Sequence, residues 1–239
     1  MSKITFVRPK TGEFGDALSF PPVPASKEVP SWFKKIPAFL DKPKEADDFF
    51  SFTVKKCIPV LDAITSGYIL YTWHDIFVGD CNDLSSSILH SPVNPISGAT
   101  VIEGHGVEQF KGAPFQRKTD GKAAFKYVNA WGIRTTAGYS CLIQTPSYSD
   151  TPIKILPGVV DTDRYHSPNF PFVFDIPGEE KDLFIPAGTP VAQVIPFKRE
   201  SYQMDIVDPD KSYLNTRFKI SSYLKEGYKR FAHTKKSYR

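Results

Sequence analysis

The placement of proline constrains this chain more than any other feature: twenty-one prolines are spread through 239 residues, with nineteen phenylalanines, eleven tyrosines and only short apolar runs between them. Proline removes a backbone donor and interrupts helices, while aromatic side chains favour pleated surfaces. The combination predicts short strands joined by many turns, with helix in the minority. At 41% hydrophobic the chain can bury a sizeable core, and its length sits at the upper end for one all-β domain.

No stretch approaches the roughly 20 apolar residues that a membrane-spanning helix requires. The start, MSKITFVRPKTG, lacks the apolar run of a signal peptide, so cytoplasmic synthesis and no membrane partner are expected. Cys57, Cys81 and Cys141 are odd in number, far apart and set among aliphatic residues, which predicts buried thiols rather than disulfides or a metal site.

Residues 1–52 read as a proline-rich N-terminal arm laid over a surface, in which Trp32 and Phe33 of SWFKKIPAFL are candidates for docking on the domain or on a neighbouring subunit. Residues 53–210 read as the β domain. TVKKCIPVLDAI and GYILYTWHDIFV predict two strands joined by a tight turn. Residues 79–121 predict a long excursion with an edge hairpin around Ile88 to Leu89 and Val101 to Ile102. AFKYVNAWGIRTT, GYSCLIQTP, VVDTD, FPFVFDI and LFIPAGTPVAQVIPF continue the strands, a spacing that suits a barrel or jelly roll. Residues 211–239 form a basic, aromatic tail: nine Lys or Arg against Glu226 alone give +8, leaving −4 for the rest of a +4 chain. Ile220, Leu224, Tyr228 and Phe231 recur about once per helical turn there, predicting a C-terminal helix.

ILPGVVDTDRYHSPNFPFVFDI, followed about a dozen residues later by IPAGTPVAQVIPF, resembles the paired motifs of the deoxyuridine triphosphatase and deoxycytidine triphosphate deaminase superfamily. In that family a Gly-hydrophobic-hydrophobic-Asp turn presents an acid at the sugar, here Gly158 and Asp161, and a later Gly-x-x-x-x-Gln strand helps close the barrel, here Gly188 and Gln193. LDAITSGYILYTWHDIFV resembles the family's first strand motif, with Gly67 and Tyr68 present and Leu70 where the Asp usually stands. TTAGYSCLIQTPSYSD lies where the enzymes carry an Arg-Ser-Ser or Arg-Ser-Gly phosphate segment; Ser140 is present and the arginine is not. The likeness covers roughly residues 55–200. It implies an all-β fold with minor α content, a distorted barrel or jelly roll of that type. The arrangement of PSWFKKIP and GVVDTDRYH also resembles an uncharacterised family found in bacteria and their phages.

Triphosphate hydrolysis needs cations or a metal on the phosphates and an acid that activates water. The resemblance implies Asp161 as base, with Asp163 beside it, Tyr165 near the sugar or base, Ser140, Arg164 and Gln193 toward phosphate, and Mg²⁺ carried by the phosphates. Against this, Asp161 and Asp163 are the residue type that bonds backbone amides within tight turns, and that reading is favoured. His74, Asp75, His105 and His166 lack the spacing of a two-His-one-carboxylate centre, so no metal is expected. Cys141 sits among apolar neighbours that make a thiol inert.

Phe218, Tyr223, Tyr228 and Phe231 of the tail are candidate contact residues, for nucleic acid through stacking and phosphate contacts, or for an adjacent acidic subunit. The resulting expectation is a non-enzymatic structural or assembly protein that self-associates, with a phage virion as one setting and no cofactor. The competing expectations are a deoxynucleoside triphosphate hydrolase or deaminase-related enzyme, and a regulatory module that binds nucleotide or nucleic acid without turnover.

Overall fold

A computed structural model describes residues 2–40, 52–79, 88–90, 98–105, 107–113, 124–175, 182–223 and 227–239. Cys81 and Leu224 lie outside the described residues, as does much of the 79–121 excursion. The chain divides into two compact units, one of residues 1–24 and 67–199, the other of Ala25–Ser66 and Glu200–Arg239. No helix among the described residues is long and apolar enough to cross a membrane.

The first unit is the β domain. Its strands are β1 (Ile4–Val7), β2 (Val23–Pro24), β3 (Tyr68–Tyr71), β4 (Ile76–Gly79), β5 (Ile88–His90), β6 (Ile102–His105), β7 (Ala124–Tyr127), β8 (Gly132–Thr135), β9 (Tyr139–Gln144), β10 (Ile153–Ile155), β11 (Gly158–Val160), β12 (Phe170–Phe174), β13 (Leu183–Ile185) and β14 (Pro190–Lys198). Among the described residues they make four antiparallel sheets, ordered β1-β8, β10-β12-β7-β6, β11-β9-β14-β3-β2 and β13-β4-β5, with no closed barrel. Trp73, Tyr127, Phe172, Ile143, Val191 and Val194 belong to one buried cluster. Two of its buried polar groups bond to backbone carbonyls: Trp73 Nε1 donates to the Val128 carbonyl at 2.9 Å, and the Tyr127 hydroxyl to the Tyr71 carbonyl at 2.7 Å.

Two sequence expectations change here and a third gains detail. The first residues of the arm expected over the surface are built into the sheets: β1 pairs with β8, β2 extends the five-stranded sheet, and Phe6 and Phe14 sit edge-on to Tyr68 and Trp73 at 5.3 and 5.5 Å. The runs at Ile88 and Ile102 do not form one hairpin, because β5 pairs with β4 while β6 pairs with β7. TVKKCIPVLDAI is not a strand. It forms a short 3₁₀ turn at Val54–Lys56 and then a helix at Ile58–Thr65.

That helix belongs to the second unit, with α1 at Ser31–Lys35, α2 at Ile58–Thr65, α3 at Lys211–Ser222 and α4 at Gly227–Phe231. Pro59 stands in the first turn of α2, where its missing donor costs nothing, and the Thr53 side chain accepts from the Lys55 amide just upstream. Lys55 Nζ donates to the carbonyls of Phe33 and Lys34, each at 2.7 Å, closing the C-terminal end of α1. Asp210 caps α3 by accepting from the Tyr213 amide at 2.7 Å. Asp62 of α2 takes His233 at 3.2 Å and Lys236 at 2.5 Å, which ties the end of the basic segment to this helix. Cys57, expected to be buried, is exposed at the start of α2.

Two glycines of the motifs that carry the resemblance are fixed by geometry. Gly67 lies at φ +72°, and a Cβ there would stand 2.1 Å from the Val194 carbonyl oxygen, so β3 and β14 approach closely only without a side chain. Gly188, at φ +83°, has the Phe20 ring 2.6 Å from its would-be Cβ. Gly67→Ala should lower the unfolding free energy by at least about 2 kcal/mol, measured as a shift of the urea midpoint at unchanged slope. Gly12→Ala, at φ +80° with nothing within 4 Å of the added methyl, should cost about 1 kcal/mol. Equal losses would mean that backbone conformation alone, and not the contact with Val194, requires glycine at position 67.

Candidate functional site

The sheet register assembles the site. Val160 of β11 pairs with Cys141 of β9, so Asp161, the next residue, falls beside Ser140. On the other side of β9, Phe197 of β14 pairs with Ser140, and the ladder continues as the Arg199 amide donates to the Gly138 carbonyl at 2.8 Å. Directly paired residues share a face and residues two apart on a strand return to it. Ser140, Phe197 and Arg199 therefore point away from the core side occupied by Cys141 and Ile143.

Arg199 reaches across the end of β9 to two carboxylates. Its guanidinium holds Asp163 in a bidentate pair, Nη1 to Oδ1 at 2.9 Å and Nη2 to Oδ2 at 2.5 Å, and its Nη1 lies 3.0 Å from Oδ1 of Asp161. The same nitrogen donates to the Ser140 hydroxyl oxygen at 3.1 Å, and that hydroxyl donates to Asp161 at 2.6 Å. The Gly138 amide donates to Asp163 at 2.8 Å. Inside the turn, Thr162 is fully buried, its hydroxyl 2.8 Å from that of Thr135 and 3.3 Å from the Cys141 sulfur. The amides of Arg164 and Tyr165 both donate to the Asp161 carbonyl at 2.9 Å.

These bonds set the charge states. The hydrogen bond from Arg199, then that from the Gly138 amide, holds Asp163 down to about 2. Asp161 is lowered as well, first by the Ser140 hydroxyl and then by Arg199, while the Asp163 bond raises Arg199. Asp161 keeps 54% of its side chain exposed and Asp163 only 7%. A carboxylate whose lone pairs are already engaged and whose pKa is depressed is a weak general base.

The structure thus brings Asp161, Asp163 and Ser140 into one cluster, with the Arg164 and Tyr165 side chains exposed on the same turn. Gln193 lies apart, four residues before Phe197 on β14, or about 13 Å along the strand. It is fully buried, and its Oε1 accepts from the Ser147 amide and hydroxyl at 2.9 and 2.8 Å, which secures the turn after β9. Gly158 is an ordinary β11 residue with open space at its would-be Cβ, so the turn at Asp161 does not demand a glycine there. Arg199 was not among the residues expected from the sequence, because only the pairing of three strands places it beside the acids.

His74 and Asp75 are engaged with backbone amides. His74 Nδ1 accepts from the Asp75 amide at 2.8 Å, and the Asp75 carboxylate accepts from the Ala187 amide at 2.7 Å. Among the described residues no three His, Cys, Asp or Glu side chains group to hold a metal ion. Burial pushes the Cys141 thiol up to about 11. Of the candidate contact residues, Phe33 is buried and unavailable to a partner, and Trp32 stands edge-on to it at 5.5 Å. Tyr223 and Phe231 meet edge-on at 5.1 Å with Arg230 over both rings, Tyr228 lies 6.1 Å from the His233 ring, and Phe218 is exposed. No protein-family model matches the chain, and no curated protein matches it.

The Asp163 shift fixes the direction of a pH effect. An unfolded aspartate titrates near about 3.9, so between that value and about 2 the unfolded chain binds more protons and stability rises with pH. The contribution is complete above about pH 5 and is lost as the pH falls through about 2. On acidification from pH 5 to pH 2, the urea midpoint of the natural chain should fall more steeply than that of Arg199→Gln. Parallel curves would show that the guanidinium does not set the state of Asp163.

Proposed function

We propose that the chain is a non-enzymatic structural or assembly protein in which a scaffold of deoxyuridine-triphosphatase-like type serves as a frame for contacts with other subunits. A phage virion is the setting that the sequence resemblance suggests. One observation carries the reading: Arg199 is committed to Asp161 and Asp163, so the acid that would activate water and the cation nearest to it neutralise one another. With Ser140 donating into the same carboxylate, the cluster works as a clasp joining the end of β14 to the turn after β11.

A second reading, a deoxynucleoside triphosphate hydrolase, draws support from the same residue. Arg199 supplies beside Ser140 the cation that the local segment lacks, and Asp161 remains half exposed. Under that reading a substrate phosphate would have to displace a carboxylate from the guanidinium, and Mg²⁺ would arrive with the nucleotide.

Deoxynucleoside triphosphates incubated with the purified chain and Mg²⁺ should be hydrolysed no faster than without protein, and Asp161→Asn should leave that result unchanged. Light scattering of the same samples should give a mass at least twice 26.8 kDa. Turnover that disappears with Asp161→Asn would overturn the assembly reading in favour of the hydrolase.

A further inference from the structure

The second unit contains a stretch whose charge is split by position. Residues 200–210 hold Glu200, Asp205, Asp208 and Asp210 and no Lys or Arg, so the entire −4 that balances the basic segment lies in these eleven residues, and residues 1–199 sum to zero. α3 follows at once with Lys211, Arg217 and Lys219 and no acid.

The same stretch leaves its apolar side chains in water. Tyr202, Met204, Ile206 and Val207 are 82–91% exposed, Tyr213, Leu214 and Phe218 are exposed on α3, and no residue of α3 is buried. Isolated exposed apolar residues are ordinary, but seven crowd into the seventeen residues 202–218, a concentration of exposed apolar side chains of the kind found at binding surfaces.

We propose that residues 200–222 are the contact through which two copies of this chain pair about a twofold axis, antiparallel, with the acidic half of each lying along α3 of the other. This deepens the assembly reading and rests on it. A twofold contact must be self-complementary, since every residue meets in the partner the surface that meets it in return. A segment that is acidic first and basic second satisfies this when antiparallel and repels itself when parallel.

The part of the acidic half nearest the helix, which holds three of its four carboxylates, matches α3 in length: the five Cα steps from Asp205 to Asp210 span at most about 18 Å, and the twelve residues of α3 rise about 18 Å. Leu214 and Phe218, four apart, share one face of the helix, and Phe218 offers apolar surface to Val207 and Ile206 of the partner. A nucleic acid fits less well, because the four carboxylates adjoining α3 would repel its phosphates. An unrelated acidic protein would match α3 and leave the acidic half unanswered.

The test uses charge reversal on the full chain, leaving Asp210 in place because it caps α3. One variant carries Asp205→Lys with Asp208→Lys, the other Lys211→Glu with Arg217→Glu; all four side chains are exposed. In sedimentation velocity the natural chain should self-associate. Each variant alone should do so about tenfold more weakly or worse, and an equimolar mixture of the two should recover association, with circular dichroism unchanged throughout. Variants that associate like the natural chain would overturn the arm contact while leaving assembly through another surface intact. A natural chain that stays monomeric at every concentration would overturn both proposals. A monomer that binds a single-stranded oligonucleotide, and loses it on Lys211→Glu with Arg217→Glu, would assign α3 to nucleic acid instead.

Discussion

The pairing of β14 on both sides is the constraint on which the β domain rests. Its residues bond to β3 on one edge and to β9 on the other, so the last strand in sequence lies inside the five-stranded sheet. Everything to which it is paired inherits its register. A slip of one residue would exchange Val194 and Ala192, which face the core, for Gln193 and Ile195. Three features resist such a slip. Gly67 admits the Val194 carbonyl at a distance that no side chain allows, Gln193 is bonded to Ser147, and Arg199 is bonded to two acids beyond β9.

Arg199 shows how one sheet position fixes chemistry that a linear motif leaves open. A guanidinium presents a planar fork of donors that matches a carboxylate in bidentate fashion and cannot lose its charge. Set between Asp161 and Asp163, it keeps both ionised and lowers the basicity of each. The motif that resembles a catalytic turn therefore occupies an electrostatic environment suited to holding strands together. The same acids facing a hydrophobic pocket would have had raised pKa values and the opposite chemical potential.

Much of this architecture was legible in the sequence, and the failures have physical causes. The β-rich class followed from proline and aromatic content, and the runs around Tyr68, Tyr139, Phe170 and Val191 are strands because alternating or fully apolar short segments suit a pleated sheet. The segment at Ile58 deceived because Ile, Val and Leu around Pro59 read as a strand, whereas a proline in the first helical turn is favourable and the 3₁₀ turn capped by Thr53 leads into it. The first residues read as part of the arm because β1, at four residues, is too short to show a period of its own beside the proline-rich stretch that follows. Within the site, Asp161, Asp163 and Ser140 were visible as residue types in a motif. Arg199 was not, since its position depends on the pairing of three strands separated by tens of residues, and nothing local encodes that register.

Net charge misleads for a related reason. The value +4 averages a body that balances to zero, an acidic stretch of eleven residues and a basic end. Only the order of those pieces has mechanical meaning. Acid placed immediately before base on one exposed stretch attracts its own copy in one orientation and repels it in the other. The apolar side chains interleaved with those charges add affinity without choosing a direction, because hydrophobic burial is non-directional. In the pairing proposed above, orientation would come from charge order and strength from apolar area, a division of labour that needs no preformed pocket.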